Sequence, residues 1–146
     1  MRYFTIEELS KSATARRLGI DNTPTPIAKA NLEKLVDKVL DPLRAAYGRP
    51  IIVTSGYRSR ELNSAVGGAA TSQHRTGEAA DIEAATQDRA ANKRLYDLII
   101  ALNLPYDQLI NEFDYDWVHV SFGARNRRQR LRAYKDANGR TKYQEL

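Results

Sequence analysis

Apolar residues recur at helical spacing in one long segment, Ile27 to Tyr47, where they form the stripe of a helix packed on a core. Pro42 predicts a kink or a break within this helix. The first twenty residues predict a short helix, with Thr5 as its N-cap and Glu8 completing a capping box. The apolar positions of the long helix are Leu32, Leu35, Val36, Val39, Leu40 and Leu43.

Two further helices are predicted later in the chain. Ser59 caps a short one through residues 60 to 63, and Thr86 or Asp88 caps one that runs to about Leu102. The segment VGGAATSQHRTG between them has the composition of a loop. The breakers NTPTP at 22 to 26 and Gly48 with Pro50 bound the long helix.

Short β-branched or alternating runs predict the strands. PIIVTSG and GEAADIEA are the first two, and QLINEF and WVHVSF form a hairpin joined by residues 114 to 116. A last hairpin is predicted around DANG at 136 to 139. Because strands and helices do not alternate regularly, the order predicts an α+β fold with a mostly antiparallel sheet flanked by helices.

The length of 146 residues predicts one small domain spanning 1–146. Its net charge of +5 is concentrated in a basic tail, residues 123–146, with eight Lys or Arg and two acids. Such a tail could bind an anionic wall polymer, nucleic acid or phospholipid, or it could be a solvated face with no partner. No recognition-helix motif or aromatic stacking platform is present, so nucleic acid is not expected as a partner.

The absence of cysteine excludes disulfides and thiolate metal sites, so a metal would need histidine and carboxylate ligands. No segment approaches the apolar length of a membrane span, and the first residues contain no signal-peptide core. We therefore expect a monomer without a membrane span, made in the cytoplasm and released or exported by another factor.

The two histidines and one aspartate suggest a metal site. His74 leaves the glycine-rich loop, Asp81 interrupts a strand of small residues, and His119 lies in the middle of DWVHVSF. Two imidazoles and one carboxylate suit catalytic Zn²⁺, which leaves a fourth position for water. The alternative is a hydrogen-bonded core histidine and an aspartate paired with an arginine.

A zinc peptidase also needs a carboxylate outside the metal shell to move protons. Asp116 stands three residues before His119, but in a regular strand it would face away from that histidine. Asp114 and Glu112 remain rivals for the role. Arg58, after the first strand, could hold an oxyanion or a substrate carboxylate, or form a surface ion pair.

Taken together, SGYRS, then Ser72-x-His74-x-x-Gly77-x-Ala79-x-Asp81, then Asp116-Trp117-x-His119 resemble the zinc D-Ala-D-Ala carboxypeptidase family. That family includes vancomycin-resistance dipeptidases and phage endolysins, and its fold is shared with hedgehog domains. The motifs cover roughly residues 27–122.

The resemblance implies one Zn²⁺ per chain, held by His74, Asp81 and His119. It implies Asp116 as general base and acid and Arg58 as the group that holds the oxyanion or substrate. Ser72 and Trp117 are implied at the substrate site, with Ser72 shaping the loop around the first histidine. Gly77 and Ala79 are interpreted as clearance for a strand passing beneath the metal.

The implied activity is hydrolysis of an amide bond in peptidoglycan stem peptides, most simply by a phage-type endolysin. One alternative is a D-Ala-D-Ala carboxypeptidase, which needs a cation for the terminal carboxylate. An alternative of another class is a non-catalytic zinc module that binds the cell wall or a receptor. A candidate base favours the enzyme over the binding module.

Overall fold

The computed structural model describes all 146 residues. Six strands form one sheet in the order β1-β2-β4-β3-β5-β6. Every neighbouring pair is antiparallel except β3 and β5, which run parallel. The strands are β1 Ile51–Ser55, β2 Ala79–Ala84, β3 Gln108–Glu112, β4 Trp117–Ser121, β5 Gln129–Lys135 and β6 Thr141–Glu145. The expected α+β fold with a mostly antiparallel sheet is confirmed.

Helices cover one face of this sheet. The helices are α1 Ile6–Ser10, α2 Ala13–Leu18, α3 Pro26–Leu35, α4 Asp41–Tyr47, α5 Arg60–Ala65 and α6 Arg89–Ala101. Buried leucines of α3 and α4 pack with Leu95 and Ile99 of α6 in one core of 22 residues. Ala80, Ile82 and Val118 enter the same core from the sheet. Since strand side chains alternate between faces, Asp81 and His119 must lie on the opposite, uncovered face.

The long helix contains a π-helical turn just before its proline. The turn, Val36–Leu40, joins α3 to α4, and Pro42 lies at the start of α4. Leu35, Val36, Leu40 and Asp41 all keep right-handed helical dihedrals, so Pro42 is accommodated by this turn without a break. Leu35, Val39 and Leu43 are fully buried along the helix. The N-terminal segment differs from expectation, because Ser12 caps a second short helix, α2, beyond the one capped by Thr5.

The arginine-rich C-terminal segment is part of the sheet and not a separate tail. β5 pairs with β3 along Gln108 to Glu112, and β6 pairs with β5 along its length. The turn at DANG is wider than a tight Asn-Gly turn, because the Asp136 carboxylate accepts bonds from the backbone N–H groups of Asn138 and Arg140. No helix has the length and apolar character that crossing a membrane requires.

Candidate metal centre and active-site cleft

Two histidines and an aspartate meet on the uncovered face of the sheet. Asp81 and His119 are directly paired across β2 and β4, and His119 Nδ1 lies 3.0 Å from Asp81 Oδ1. His74 approaches from the preceding loop, with Nε2 3.4 Å from the same oxygen. One ligand atom from each residue lies within 4.8 Å of the others, which is the compactness that a single metal ion requires.

The donor set suits zinc because the tautomer of His74 is fixed by its surroundings. His74 Nδ1 lies 2.7 Å from the backbone oxygen of Gly56, so it carries the proton and leaves Nε2 with a lone pair for a metal. The position of the Gly56 carbonyl is set by close packing of the Gly56 backbone against the Leu9 backbone. A Cβ at Gly56 would collide with the Leu9 carbonyl, while Tyr57 N donates to the same carbonyl at 2.6 Å.

The loop around His74 is shaped by two small residues. Ser72 Oγ accepts a hydrogen bond from the backbone N–H of His74 and caps the 3₁₀ turn Gln73–Thr76. Gly77 ends that turn with φ of +75°, and a Cβ there would collide with the Ala28 carbonyl of α3. The clearance at Gly77 is therefore toward a helix, and not beneath the metal as the sequence suggested.

Arg58 is neither a surface residue nor a simple ion-pair partner. Its guanidinium is held by Ser55 Oγ at 3.0 Å and Asn63 Oδ1 at 3.2 Å, and Nη2 lies 3.5 Å from Asp81 Oδ2. Asn63 is itself 2% exposed and donates to the Ala69 carbonyl, so the guanidinium has a rigid support. The fixed positive charge thus stands at the edge of the His–Asp–His cluster.

Burial and the charges of the cluster shift the pKa values of two cleft acids, Asp81 and Glu112, in opposite directions. Burial alone would raise the pKa of Asp81, but the two histidines hold it well below its usual range, which keeps the carboxylate ionised. Burial, aided by the negative charge of Asp81 and opposed by His119, raises the pKa of Glu112 to about 7.

Register brings Glu112 to the metal side of the sheet. Ile110 pairs with His119 and Glu112 pairs with Trp117, so these four side chains share one face. Glu112 is the diagonal neighbour of His119, a relation that places side chains about 7 Å apart or less. Glu112 is 7% exposed and lines the same cleft as the histidines.

Asp116 does not join this group. It lies in the turn between β3 and β4, where its N–H donates to the Glu112 carbonyl and its side chain is 57% exposed. Its carboxylate faces Arg89 at 3.8 Å, outside the residues that line the cleft. Glu112 therefore lies in the cleft and Asp116 lies outside it, and Asp114, in the same turn, is also absent from the lining. The role of Asp116 as general base and acid stays a prediction.

The turn that holds Asp116 is strained and externally supported. Phe113, Asp114 and Tyr115 have φ values of 53°, 57° and 61°, a left-handed conformation that non-glycine residues rarely adopt. Arg89 donates to the carbonyls of Phe113 and Asp114, and buried Asn92 donates to the carbonyl of Tyr115. Asp116 beside Arg89 belongs to this support.

A cleft of about 940 Å³ opens over the cluster. Trp117 lies on its floor with its ring 5.4 Å from that of Phe113, and Arg58 and Ser72 stand at its edge. The far side is formed by the C-terminal segment, which contributes eight residues. These are Arg125, Arg127, Gln129, Leu131, Lys135, Thr141, Tyr143 and Glu145.

A buried acid joins the C-terminal segment to the metal-binding loop. Asp107 is 1% exposed and accepts hydrogen bonds from Arg127 Nε at 2.8 Å, Arg127 Nη2 at 3.0 Å and Gln73 Nε2 at 3.0 Å. These bonds, with Arg127 the strongest contributor, hold the pKa of Asp107 well below its usual range despite burial. Gln73 immediately precedes His74, so the hydrogen bonds of Asp107 to Gln73 and Arg127 tie the His74 loop to the C-terminal segment.

A family model described as Peptidase M15 matches residues 2–121. The chain therefore belongs to the zinc D-Ala-D-Ala carboxypeptidase-like peptidase family M15, and it is a metallopeptidase by family. The family is zinc-dependent, and the His–Asp–His cluster could bind such a metal. The match includes the N-terminal helices, which the motifs at 27–122 did not cover, and ends before β5. A comparison with curated proteins found no match.

The sequence motifs named all three members of the cluster, but they did not single out Glu112. One sequence signal could have indicated Glu112, because it is an acid within the apolar run QLINEF. It also lies two residues after Ile110, which pairs with His119 in the hairpin. Asn63, Asp107 and the cleft residues of the C-terminal hairpin carried no comparable signal, because their roles depend on contacts between distant segments.

Proposed function

We propose that this chain is a zinc-dependent peptidase that hydrolyses an amide bond in peptidoglycan stem peptides. The observation that carries the proposal is the His74–Asp81–His119 cluster on the floor of a cleft, with a buried carboxyl, Glu112, on the same face of the sheet. The three cluster residues would hold one Zn²⁺. When bound, the ion supplies Lewis-acid polarisation of the scissile carbonyl and acidifies water.

In this proposal Glu112 accepts the proton of the attacking water and later delivers it to the leaving amine. The position of Glu112 suits both roles, because it is buried in the cleft on the same face of the sheet as the cluster. Arg58 donates to the carbonyl oxygen as negative charge develops on it, and its three fixed contacts keep it oriented before substrate arrives.

The shape of the cleft favours a cut within a peptide over removal of a terminal residue. Lining residues extend along β5 from Gln129 to Lys135, a span of about 20 Å for an extended strand. His119 pairs with Ile110, and Ile110 pairs with Leu131, so the metal centre lies level with the middle of β5. The cleft therefore continues on both sides of the metal centre. We therefore infer endopeptidase action of the endolysin type.

A D-Ala-D-Ala carboxypeptidase is the second candidate, because cations that could bind a terminal carboxylate line the cleft, Arg58 and Lys135 among them. Digestion of purified peptidoglycan with mass analysis of the products distinguishes the two. Internal stem fragments support the endopeptidase, and free D-Ala with shortened stems supports the carboxypeptidase. Intact peptidoglycan that still binds the protein would indicate a non-catalytic wall-binding module.

Release to the wall by another factor and a monomeric state stay predictions. So does attraction of the basic C-terminal segment to anionic wall polymers. Arg130 and Arg132 are exposed on the face of the sheet opposite the cleft, where they are available to such a polymer without entering the active site.

A further inference from the structure

The C-terminal hairpin, β5 with β6, lies beyond the family match and yet forms one wall of the cleft. Its side chains alternate between two faces. Leu131 and Ala133 pack on Ile110 beside the metal centre. Lys135 and Tyr143 line the cleft on the same face. This wall of the cleft is thus formed by residues that follow the family match, which ends at residue 121.

Tyr143 stands in line with the proposed base. Glu112 pairs with Ala133, and Ala133 pairs with Tyr143, so the three side chains form one row across β3, β5 and β6. Because Ala133 has only a methyl group, nothing in the row separates the long tyrosine side chain from Glu112. The phenol is therefore positioned to face whatever peptide lies beside the base.

The electrostatic surroundings of Tyr143 agree with this position. Its residue surface is 57% exposed overall, yet partial burial, together with the negative charges of Glu112 and Asp81, raises the pKa of the phenol. A phenol is protonated at neutral pH, so the hydroxyl can donate a hydrogen bond to a carbonyl of the substrate.

Lys135 supplies a positive charge at the turn end of the same wall. Its Nζ donates to Thr141 Oγ1 at 2.7 Å and lies 5.2 Å from the centre of the Phe113 ring, and no carboxylate forms an ion pair with it. Glu145 lies at the opposite end of β6. Lys135 is thus a cation without an ion-pair partner at the turn end of the wall, where it can bind a carboxylate that enters there.

We propose that the C-terminal hairpin is a substrate subsite, in which Tyr143 hydrogen-bonds the peptide beside the scissile bond and Lys135 binds a carboxylate of the substrate. This inference rests on the proposed function. The ligand chemistry is that of an acidic peptide, which stem peptides satisfy through their free carboxylates.

The hairpin itself offers a matched control for the charge. Lys142 is exposed and pairs with Tyr134 on the other face of β6, so Lys142→Gln removes the same charge from the same strand without altering the cleft. Lys135→Gln and Tyr143→Phe are the test variants. All are made in the full-length, zinc-loaded protein, and their zinc content is measured to verify an intact metal centre.

Two readouts are used with soluble stem peptides prepared from purified peptidoglycan. The first is steady-state hydrolysis, which separates KM from kcat. The second is the emission of Trp117, the only tryptophan of the chain and a residue of the cleft floor, during peptide titration of Glu112→Gln protein. Each is repeated with peptides whose carboxylates have been converted to amides.

We expect Lys135→Gln to weaken binding and raise KM about threefold to tenfold, a typical range for one partly exposed charge-assisted contact. Tyr143→Phe should weaken binding about threefold to tenfold as well, with either peptide form. Lys142→Gln should match the wild type. With amidated peptides the difference between Lys135→Gln and wild type should vanish.

The subsite is refuted alone if the wild type hydrolyses the peptides and neither test variant changes KM or binding. Equal losses in Lys135→Gln and Lys142→Gln would also refute it, since they indicate attraction by overall charge. A Lys135 effect that persists with amidated peptides contradicts the carboxylate assignment. If the wild type neither binds nor hydrolyses the peptides, the proposed function fails and the subsite fails with it.

Discussion

Glu112→Gln and Asp116→Asn are paired substitutions that remove one carboxylate each while keeping side-chain shape. Glu112 lies buried on the metal face of the sheet, and Asp116 lies in the exposed turn beside Arg89. If Glu112 carries the proton, its substitution should abolish hydrolysis and leave the metal centre assembled. Asp116→Asn should retain most activity, because it only loosens the support of the turn.

The size of the two effects follows from the structure. A positioned general base typically contributes 10²- to 10⁴-fold, or about 3 to 5 kcal/mol, so kcat of Glu112→Gln should fall by about that factor. Asp116 takes part in one exposed ion pair at 3.8 Å, and such pairs contribute about 1 kcal/mol or less. Asp116→Asn should therefore change kcat by less than about fivefold.

Burial of Glu112 also predicts how its substitution changes the free energy of unfolding. A rise in its pKa from 4.5 to about 7 corresponds to at most about 3 kcal/mol. Because the folded pKa exceeds the unfolded one, the protonated carboxyl contributes its full stability below pH 4.5, and this contribution is lost as the pH rises through about 7. Metal-free Glu112→Gln should thus be more stable than metal-free wild type at pH 8, and nearly equal near pH 4.

The assays are hydrolysis of purified peptidoglycan, zinc analysis of each protein, and urea unfolding of the metal-free forms at the two pH values. Full activity in Glu112→Gln, with activity lost in Asp116→Asn, would return the base to Asp116. It would also mean that the turn rearranges in the working enzyme. Loss of zinc in Glu112→Gln would make the substitution uninformative about proton transfer, so Glu112→Asp is prepared alongside it to test whether a shorter carboxylate restores partial activity.

Three further outcomes are expected. His74→Ala and His119→Ala should each lose bound zinc, measured by elemental analysis, because two remaining ligands hold the ion weakly; full zinc occupancy in either variant would contradict the ligand set. Asp107→Asn should destabilise the protein by about 1 to 3 kcal/mol at neutral pH, because the buried acceptor of the Arg127 and Gln73 hydrogen bonds loses its charge. Because the pKa of Asp107 is lower in the folded protein, its contribution to stability is present above pH 3.8 and is lost on further acidification. The unfolding free energies of wild type and Asp107→Asn should therefore converge at low pH, and a constant difference across pH would exclude a charged Asp107 as the cause. Arg130→Gln with Arg132→Gln should weaken wall binding in a salt-dependent way without altering hydrolysis of soluble peptides, and unchanged sedimentation with walls at low salt would show that this face does not bind them.

Local sequence signals predicted most of the elements, because each relied on residues close together in the chain. Thr5, Ser59 and Asp88 cap helices as their side chains allow, and the leucines between 32 and 43 bury one helical face. The candidate metal cluster was also predicted from short motifs, because Ser72-x-His74-x-x-Gly77-x-Ala79-x-Asp81 and Asp116-Trp117-x-His119 each lie within one short segment of the chain.

The features that sequence could not predict depend on long-range register. Nothing local indicates that β5 crosses over to pair in parallel with β3. Without that pairing, the arginine-rich segment looks like a tail, and its cleft-facing side chains cannot be assigned. The prediction of Asp116 as the base relied on its spacing to His119. That spacing could not show that the pairing of Glu112 with Trp117 places Glu112 on the same face of the sheet as His119.

The central claim, a zinc peptidase centred on His74, Asp81 and His119, is tested most directly by removing and restoring the metal. Chelated wild-type protein should lose hydrolysis of purified peptidoglycan, and one equivalent of Zn²⁺ should restore it. His119→Ala should stay inactive under the same addition. Hydrolysis that persists in the fully metal-free wild type, or that zinc restores equally in His119→Ala, would contradict the account.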